Sequence, residues 1–536
     1  MNFYNLVATI SLLLHYSQCN DVAVSVSGME KMVTIEQNLI KTLQAYVEDN
    51  EMRVLVIKMK IKEFKEEHNK GLKNVEKYVS NPISSFSLMR RLVFEYNDVL
   101  QLIKNSTVQD TINQIEDNMK MENYPNSEDV SEATEGFIKL QSTYKLKPSE
   151  IVKGVINGVK YPYRLHSKDL FDIGLYAFSQ GHHFYADEWF KASLEQHMME
   201  GGQLLFYNFD KEIILGKAID NKIAQLDFIQ AKEYAFQLIE LNKQSSKALE
   251  TLDKINGFLA LNTTPVPSFM FQEPHGSLDD VITGIGCRGE FSKMKRLSPD
   301  LTCFYEKKNH PFLKLAPIKV EIINLENPYI IIFHEVISEK EIEVIKNLSK
   351  PGLTRAGVCY NDEKATCSLD EKSSHESRSN RKSKLVWLDE KDHEIFSILT
   401  QRSEDMTGLS LSTSEEFQVA NYGLGGHFAQ HKDYFGLPEN VEDLDYKTNG
   451  NRFATMLFYL SDVEQGGLTI FPQAVIAVKP KKGSCVFWYN MLPNGEGNPK
   501  TIHAGCPVLV GNKWVINKWI RANGQMFTKP CPAGYQ

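Results

Sequence analysis

A histidine and an aspartate stand two residues apart in the stretch GGHFAQHKDYF, a spacing that suits two ligands of one metal ion. On an extended strand, residues i and i+2 project from the same face, so His431 and Asp433 can reach one ion while Lys432 points away. His503, farther along in TIHAGCPVLV, begins another β-like run and can supply a third ligand. Two histidines and a carboxylate form the facial triad of non-haem Fe(II) oxygenases, which leaves positions open for a cosubstrate and O2.

Lys513, in VGNKWVINKW, makes this pattern more specific. If the chain turns after the run that begins at His503, the lysine returns towards that histidine on the neighbouring strand. A lysine inside a barrel needs an anionic partner, and the far carboxylate of a dicarboxylic keto acid bound to the iron would be one. Tyr422 and Thr469 can donate hydrogen bonds to the same carboxylate.

Each of these residues also has an ordinary structural interpretation. His503 is compatible with a hydrogen-bonded core histidine, and Lys513 with a surface lysine whose stem lies along apolar neighbours. A structural zinc site is a further alternative, although such sites are usually closed by four ligands. The joint arrangement favours an iron site.

The elements that must position these residues change in type along the chain. Beyond about residue 320, short β-rich runs such as YIIIFHEVI, RFATMLFYLSD and KWVINKWI are separated by glycine turns, which predicts a sandwich or barrel. Before about residue 262 the pattern is helical. Apolar residues recur at threes and fours from Met32 to Tyr46, as in an ordinary helical hairpin or a dimerising coiled coil.

A second helical segment includes residues 167–196, where Gly181 marks the turn between two helices. The spacing of its small, aromatic and glycine positions resembles a tetratricopeptide repeat. Such repeats stack into a concave groove that suits an extended peptide. A plain helical domain is the alternative.

Length and charge exclude some classes of protein. A chain of 536 residues is too long for one domain, and a net charge of −8 argues against a nucleic-acid binder. The apolar run Leu6–Leu14 is too short to span a bilayer and fits a secretory signal peptide, and no later stretch reaches the length of a membrane helix. Glycosylation sequons at Asn105, Asn262 and Asn347 support a secretory route.

The chain has eight cysteines, and loss of Cys19 with the signal peptide would leave an odd number. Cys485 lies in an apolar strand-like run, so we expect it to be unpaired and buried. Sequence alone does not determine the connectivity. One set of pairs that the spacings allow is Cys287 with Cys303, Cys359 with Cys367, and Cys506 with Cys531.

Four stretches resemble the catalytic domain of the collagen prolyl 4-hydroxylase α subunit: QVANYGLGGHFAQHKDYF, GNRFATMLFYLSDVEQGGLTIFP, KKGSCVFWYN and HAGCPVLVGNKWVINKWI. NPISSFSLMRRL is similar to the dimerisation region of that family, and residues 167–240 to its peptide-binding domain. The resemblance implies a multidomain α+β chain. The expected domains are a signal peptide (1–20), an N-terminal helical, coiled-coil dimerisation region (21–140), a tetratricopeptide-like peptide-substrate-binding domain (141–262), a linker with a disulfide (263–325) and a double-stranded β-helix, or jelly-roll, catalytic domain (326–536).

The resemblance also implies an activity. The family uses Fe(II), 2-oxoglutarate and O2 to hydroxylate proline at C4 in procollagen-like X-Pro-Gly peptides, with ascorbate rescuing oxidised iron. It works in the lumen of the endoplasmic reticulum as an α2β2 tetramer whose β subunit is protein disulfide isomerase. The same chemistry on another secreted proline-containing substrate, and a non-catalytic peptide-binding subunit, are the alternatives.

Roles can be carried over to individual residues. The resemblance implies His431, Asp433 and His503 as iron ligands, Lys513 with Tyr422 and Thr469 as the site for 2-oxoglutarate, and Arg452 and Trp519 as contacts for the substrate peptide. The disulfide positions of the family match Cys287–Cys303 and Cys506–Cys531.

Three departures from the family are visible. Phe428 replaces a tyrosine that is implicated in holding the substrate proline, and the lost hydrogen bond, which typically contributes about 0.5–1.5 kcal/mol, predicts weakened or retuned turnover. The groove tyrosines of the family are poorly matched around residues 207–236, which questions a preference for collagen-like peptides. Residues 357–384, with two additional cysteines, are expected to form a lid or surface loop.

Overall fold

A computed structural model describes residues 25–49, 54–104, 109–121, 124–201, 209–243, 246–260, 277–294, 303–307, 311–356, 380–436, 444–527 and 529. The predicted signal peptide, the sequons at Asn105 and Asn262, the Cys359–Cys367 pair and Cys531 lie outside these residues. The described chain is helical as far as residue 294 and rich in β-strands from residue 303 onwards. This change from helices to strands along the chain agrees with the predicted α+β class.

The first helices pack on one another around an apolar core. Met32, Ile35, Leu39 and Leu43 are buried along one face of α1, as their spacing predicts. That face packs against α2 and α6 of the same chain, so the helical-hairpin interpretation accounts for the apolar stripe, and dimerisation stays a prediction. The helices are α1 Val26–Asp49, α2 Val54–Lys73, α3 Val75–Val79, α4 Pro82–Arg90, a π-helical turn Arg91–Glu95, α5 Tyr96–Lys104, α6 Gln109–Met119, α7 Ser127–Tyr144 and α8 Pro148–Ile151.

The second helical segment begins after a two-stranded hairpin and contains the predicted helix-turn-helix. Gly181 has φ +76°, a left-handed value that glycine adopts without strain, and it reverses the chain between α9 and α10. Gly174 allows these helices to approach, because a Cβ atom there would lie 2.9 Å from the ring of Phe190. The elements are β1 Val155–Ile156, β2 Val159–Lys160, α9 Ser167–Ser179, α10 His183–Met199, α11 Lys211–Ala224, α12 Phe228–Leu241, α13 Ser246–Ala260, α14 Leu278–Cys287 and α15 Phe291–Met294.

The β-rich part contains two main antiparallel sheets and a separate two-stranded antiparallel sheet, β11-β16. The large sheet has the strand order β3-β4-β5-β14-β10-β17-β8-β7-β6, and the small sheet has the order β13-β12-β15-β9. The strands are β3 Cys303–Glu306, β4 Ile318–Asn324, β5 Ile330–His334, β6 Thr354–Arg355, β7 Lys384–Leu388, β8 Phe417–Tyr422, β9 Phe428–His431, β10 Arg452–Tyr459, β11 Gln465–Gly466, β12 Thr469–Phe471, β13 Ile476–Val478, β14 Cys485–Tyr489, β15 His503–Gly505, β16 Val508–Val510 and β17 Lys513–Arg521.

Apolar side chains from both sheets form a common core, as in a jelly roll. Tyr459 and Trp488 of the large sheet pack in one cluster with Phe471 and Val478 of the small sheet. On the outer face of the large sheet, a second core packs under α16 Glu339–Ser349 and α17 Glu394–Thr407. A short helix, α18 Leu444–Asn449, precedes β10. The predicted jelly-roll class is confirmed, and β3 and β4 belong to the large sheet although they fall in the segment expected to be a linker.

The helical part and the jelly roll share an apolar core. Leu424, Leu509 and Val510 belong to the same buried cluster as the first helices. Helix α7 meets the turn before β9 at two glycines, because a Cβ atom at Gly425 would lie only 2.8 Å from the Cα of Gly136. The helical part therefore contacts the segment that leads into the strand of His431.

Hydrogen bonds join the same two parts on either side of β16. The hydroxyl of Tyr144 donates to the carbonyl of Pro507 at 2.6 Å. The amide of Gly511 donates to the carbonyl of Ser80 at 3.0 Å. The strand that begins at Lys513 thus starts from a turn held by helices far away in sequence.

The disulfide pairs Cys287–Cys303 and Cys506–Cys531, implied by the resemblance, are wrong, because Cys287 and Cys506 are bonded to each other. Helix α14 packs on β12 and β13, and this packing brings its last residue to the segment after β15. Cys303 is an exposed free thiol, and Cys485 is buried and unpaired as predicted. Within the described ranges, helices that combine the length and hydropathy needed to span a bilayer are absent.

Candidate active site

Three predicted metal ligands meet between the last residues of β9 and the first of β15. His431 and His503 are register partners on these antiparallel strands, and Asp433 follows His431 by two residues. The Nε2 atoms of His431 and His503 lie 3.8 and 3.7 Å from the nearest carboxylate oxygen of Asp433. The candidate ligand atoms all lie within 4.8 Å of one another, so one ion can contact all three side chains.

The imidazoles are oriented by backbone carbonyls. Nδ1 of His431 lies 2.8 Å from the carbonyl oxygen of Ala429, and Nδ1 of His503 lies 2.9 Å from that of Thr501. A carbonyl oxygen only accepts, so Nδ1 carries the proton in both rings and the Nε2 lone pairs face Asp433. This is the arrangement by which histidine ligands are normally fixed towards a metal.

The protonation states of His431 and Asp433 also suit the binding of a divalent cation. Burial, with the positive form of the neighbouring His503, lowers the pKa of His431 to about 3, so the imidazole is neutral over the physiological range. Burial alone would raise the pKa of Asp433, but His503, His431 and Arg452 hold it below its ordinary value. A neutral imidazole beside an ionised carboxylate fits a non-haem iron site.

Phe428 lies directly on one of the ligands. Its ring stacks on that of His431 with centroids 3.6 Å apart and planes 16° from parallel. The guanidinium of Arg381 lies 4.5 Å from the centroid of Phe428 and donates to Gln418 at 2.8 Å. The aromatic ring that this chain retains at position 428 therefore packs against both a candidate iron ligand and a buried arginine.

Arg381 was not singled out from the sequence. It lies near the end of the polar stretch 357–384, of which residues 357–379 fall outside the described chain. Arg381 and Lys382, at the described end, are 5% and 3% exposed, so this end is not a surface loop. A signal that this end of the stretch is ordered was the strand that starts at Lys384, two residues after the basic pair.

Lys513 reaches the site from a different sheet than predicted. It pairs with Tyr422 of β8 in the large sheet, whereas His503 lies in the small sheet, because β16 intervenes between β15 and β17. Its Nζ lies 3.8 Å from the position that a Cβ atom would take at Gly505, so it extends across the interior towards β15. Burial lowers the pKa of this lysine to about 7.

Tyr422 and Thr469 line the same interior. The hydroxyl of Tyr459 donates to Oγ1 of Thr469 at 2.8 Å, which leaves the threonine proton available to another acceptor. Burial raises the pKa of Tyr422, although the guanidinium of Arg381 next to its hydroxyl opposes this effect. Tyr459 is a second residue that the sequence did not indicate. A buried cation with hydroxyl donors around it fits the far carboxylate of a dicarboxylic acid.

Arg452 and Trp519 form a wall beside the ligands. The guanidinium of Arg452 lies 3.9 Å from the ring centroid of Trp519 and pairs with both carboxylate oxygens of Glu415 at 2.7 and 2.6 Å. Trp387, which is 40% exposed, continues the wall with its ring centroid 5.8 Å from that of Trp519. Glu415, which lies two residues before β8, and Trp387, on β7, were also missed, because they approach Arg452 and Trp519 only when these distant segments pair in the folded sheet.

Family comparisons agree with this geometry. Residues 417–521, which contain the three ligands and Lys513, match the 2OG-Fe(II) oxygenase superfamily. Residues 25–158 match the prolyl 4-hydroxylase alpha-subunit, N-terminal region. The site and the fold that carries it are therefore those of an Fe(II)- and 2-oxoglutarate-dependent oxygenase.

Similarity to known proteins extends along the chain. It is 33% identical over 522 residues to human prolyl 4-hydroxylase subunit alpha-1, covering 95% of each chain, and 34% identical over 525 residues to chicken subunit alpha-2, covering 95% and 94%. The chain belongs to the family of prolyl 4-hydroxylase α subunits. Among solved structures, the viral collagen prolyl hydroxylase of Paramecium bursaria Chlorella virus-1 is 26% identical over 36% of this chain and 96% of its own, with a TM-score of 0.29.

These relationships confirm several predictions. The chain is an enzyme of the proline-hydroxylating class, and its cofactor and cosubstrates are Fe(II), 2-oxoglutarate and O2, with ascorbate as is typical of prolyl hydroxylases. The roles of individual residues, the peptide substrate and the partner subunit are taken up as proposals.

Proposed function

We propose that this chain hydroxylates proline at C4 in procollagen-like X-Pro-Gly peptides, coupled to oxidative decarboxylation of 2-oxoglutarate. The observation that carries the proposal is the buried side-chain nitrogen of Lys513, which extends from the large sheet towards the strand of His503. In this proposal, Lys513 neutralises the far carboxylate of 2-oxoglutarate there. A decayed, non-catalytic subunit would have no reason to keep a buried lysine beside an intact set of ligands.

In this proposal, His431, Asp433 and His503 hold the iron. Bound iron and 2-oxoglutarate together supply the oxidation of an unactivated C–H bond. Lys513 pairs with the far carboxylate, and the protons of Thr469 and Tyr422 are available to it as further donors. The protein residues thus bind, orient and keep dry the reacting groups.

The wall of Arg452, Trp519 and Trp387 suits a proline-rich peptide. Such peptides already adopt the polyproline II conformation, so an aromatic surface binds them with little loss of conformational entropy. The peptide would lie along this wall and bring one proline towards the iron. Phe428 contributes a ring without a hydroxyl, so this contact with the proline is apolar.

We further propose the assembly and the cellular location. The relatives are named as α subunits, which supports pairing with a β subunit, and the family resemblance points to protein disulfide isomerase in an α2β2 tetramer. The apolar N-terminal run and the sequons support the lumen of the endoplasmic reticulum. Co-purification with disulfide isomerase, from cells that express both chains, tests this point.

The activity is tested by co-expressing the chain with protein disulfide isomerase and measuring 2-oxoglutarate decarboxylation. We expect turnover that depends on a (Pro-Pro-Gly)-type peptide and yields one 4-hydroxyproline for each CO2 released. Absent or peptide-independent turnover would contradict the collagen substrate. Turnover only with a proline-rich peptide that lacks the glycine repeat would favour another secreted substrate, an alternative that the position of Phe428 and the poor tyrosine match support.

A further inference from the structure

Asp433 is held by a threonine on the opposite sheet. The hydroxyl of Thr455, on β10, donates to Oδ2 of Asp433 at 2.7 Å. Neither the threonine nor its hydrogen bond is exposed to solvent, since Thr455 is 0% exposed and Asp433 4%. Oδ2 of this ligand therefore has a fixed donor that belongs to the large sheet.

A second residue determines which way the threonine hydroxyl points. Nδ2 of Asn490, which is also fully buried, donates to Oγ1 of Thr455 at 2.8 Å. An amide nitrogen only donates and an ionised carboxylate only accepts, so the single proton of Thr455 must go to Asp433. The donor and acceptor roles in the hydrogen-bonded series from Asn490 through Thr455 to Asp433 are therefore determined by the types of these three side chains.

Backbone hydrogen bonds hold the outer end of this series in place. The amide of Asn490 donates to the carbonyl of Phe453 at 2.9 Å, and its carbonyl accepts from the amide of Asn498 at 2.8 Å. Its Oδ1 has no partner among the described residues, so the amide group is retained in a buried place at a cost. This cost is accounted for if Nδ2 of the same amide is needed to orient the hydroxyl of Thr455.

The segment that carries Asp433 is anchored to the same strand region at a second point. The side chain of Asn451 accepts from the amide of Phe435 at 2.8 Å and donates to its carbonyl at 3.1 Å. Asp433 is thus held through its carboxylate by Thr455, and the chain two residues farther on is held through the backbone of Phe435 by Asn451. The small sheet supplies the histidines, and the large sheet fixes the carboxylate relative to them.

We infer that Thr455 and Asn490 are positioning residues for the carboxylate ligand of the iron site. They fix the rotation of the Asp433 carboxylate, so that it is aligned with both Nε2 atoms before a metal binds. The inference rests on the proposed metal-binding role of Asp433. Loss of such a partner of a ligand typically reduces metal affinity about 10- to 100-fold.

The test measures metal binding without turnover, on the full chain co-expressed with its β subunit. The dissociation constant for Co(II), titrated by calorimetry, is compared in wild type, Thr455→Val and Thr455→Ser. Valine keeps the volume and lacks the hydroxyl, whereas serine keeps the hydroxyl. We expect the constant to rise about 10- to 100-fold in Thr455→Val and to change less than threefold in Thr455→Ser.

A second pair of variants guards against misfolding. If Thr455→Val does not accumulate, Thr455→Ala is compared with Thr455→Ser, since both are smaller than threonine and they differ by the hydroxyl. The KM for the peptide should stay within twofold of wild type while the KM for iron rises, a split that general loosening of the strand would not give. An unchanged metal affinity in both Thr455→Val and Thr455→Ala, or an equal loss in Thr455→Ser, overturns the inference. Wild type that binds no metal would instead contradict the proposed function.

Discussion

Phe428 contacts the candidate iron site through its ring alone. Its ring packs against both Arg381 and His431, so the stacking is independent of a hydroxyl group. The tyrosine that the family usually has here would keep the ring and add a donor. The two properties, packing on a ligand and contact with the peptide, can therefore be separated by substitution.

Phe428→Tyr is expected to lower the KM for a proline-rich peptide about two- to tenfold, because one neutral hydrogen bond contributes about 0.5–1.5 kcal/mol. Metal affinity should not change, because the ring that stacks on His431 is retained. Phe428→Leu, by contrast, should weaken metal binding. Peptide-dependent decarboxylation and Co(II) titration measure the two effects. Identical peptide kinetics in Phe428→Tyr and wild type would show that this position does not contact the substrate.

Lys513 predicts a pH dependence of cosubstrate binding. Burial lowers its pKa to about 7, so the free site is mostly neutral at pH 8, whereas a bound carboxylate requires the ammonium form. Binding must then take up a proton, and the apparent Kd for 2-oxoglutarate should rise as the pH increases above 7, by at most about tenfold per unit. Calorimetry in buffers of different ionisation enthalpy measures this uptake at pH 8.

The matched control is Lys513→Arg, whose guanidinium keeps its charge in this pH range. It should bind 2-oxoglutarate without proton uptake and with a flat pH profile. The same profile in both proteins would mean that Lys513 is already protonated in the free site.

At the scale of elements, helix α7 and the turn before β9 meet without side chains between them. Gly425 has φ +62°, and a Cβ atom there would lie 2.8 Å from Gly136. Gly158 has φ +79° and nothing within 4 Å of its Cβ position, so it carries the same backbone requirement without the contact. The two glycines separate backbone strain from packing.

We expect Gly158→Ala to lower the free energy of unfolding by about 1–2 kcal/mol, because alanine is strained in the left-handed conformation. Gly425→Ala should cost more than this, because the backbone of α7 must also move, and it should reduce metal binding at His431. Denaturant unfolding followed by tryptophan fluorescence measures the difference. Equal destabilisation in the two variants would show that α7 adjusts to the extra atom without strain.

Strand pairing explains which parts of the site could be predicted from the sequence. His431 and Asp433 lie on one strand and its continuation, so local spacing was sufficient for this pair, whereas His503, on the strand that pairs with it, was assigned with the help of the family resemblance. Arg381, Thr455 and Asn490 reach the site through pairings of distant strands. A register between strands is determined by tertiary packing, which a single sequence does not reveal.

Contacts between distant segments also limited how much of the overall fold could be predicted. Alternation of apolar residues predicted the jelly roll, and apolar periodicity predicted the helices, because both depend on near neighbours. The pairing of Cys287 with Cys506 depends on how α14 packs on the small sheet. The family resemblance implied Cys303 instead, and spacing along the chain could not correct this, since loop length says nothing of the packing between the two parts.

At the scale of the whole molecule, this disulfide predicts a redox-sensitive stability. It closes a loop of 219 residues, and removal of a bond of this kind typically costs about 2–4 kcal/mol. Cys287→Ser should lower the unfolding midpoint and abolish its response to reductant. Cys303→Ser, which removes the exposed free thiol, should leave both unchanged. Peptide mapping without reduction should find the Cys287–Cys506 fragment, and a Cys287–Cys303 fragment would contradict the structure.

The amide of Gly511 has a use as a probe of this architecture. Its hydrogen bond crosses to the carbonyl of Ser80 in the helical part, directly before the strand of Lys513. Deuterium uptake at this one amide would therefore report each separation of the helices from the jelly roll. Slow exchange with 2-oxoglutarate present and faster exchange without it would mean that occupancy of the pocket is sensed by helices at the other end of the sequence.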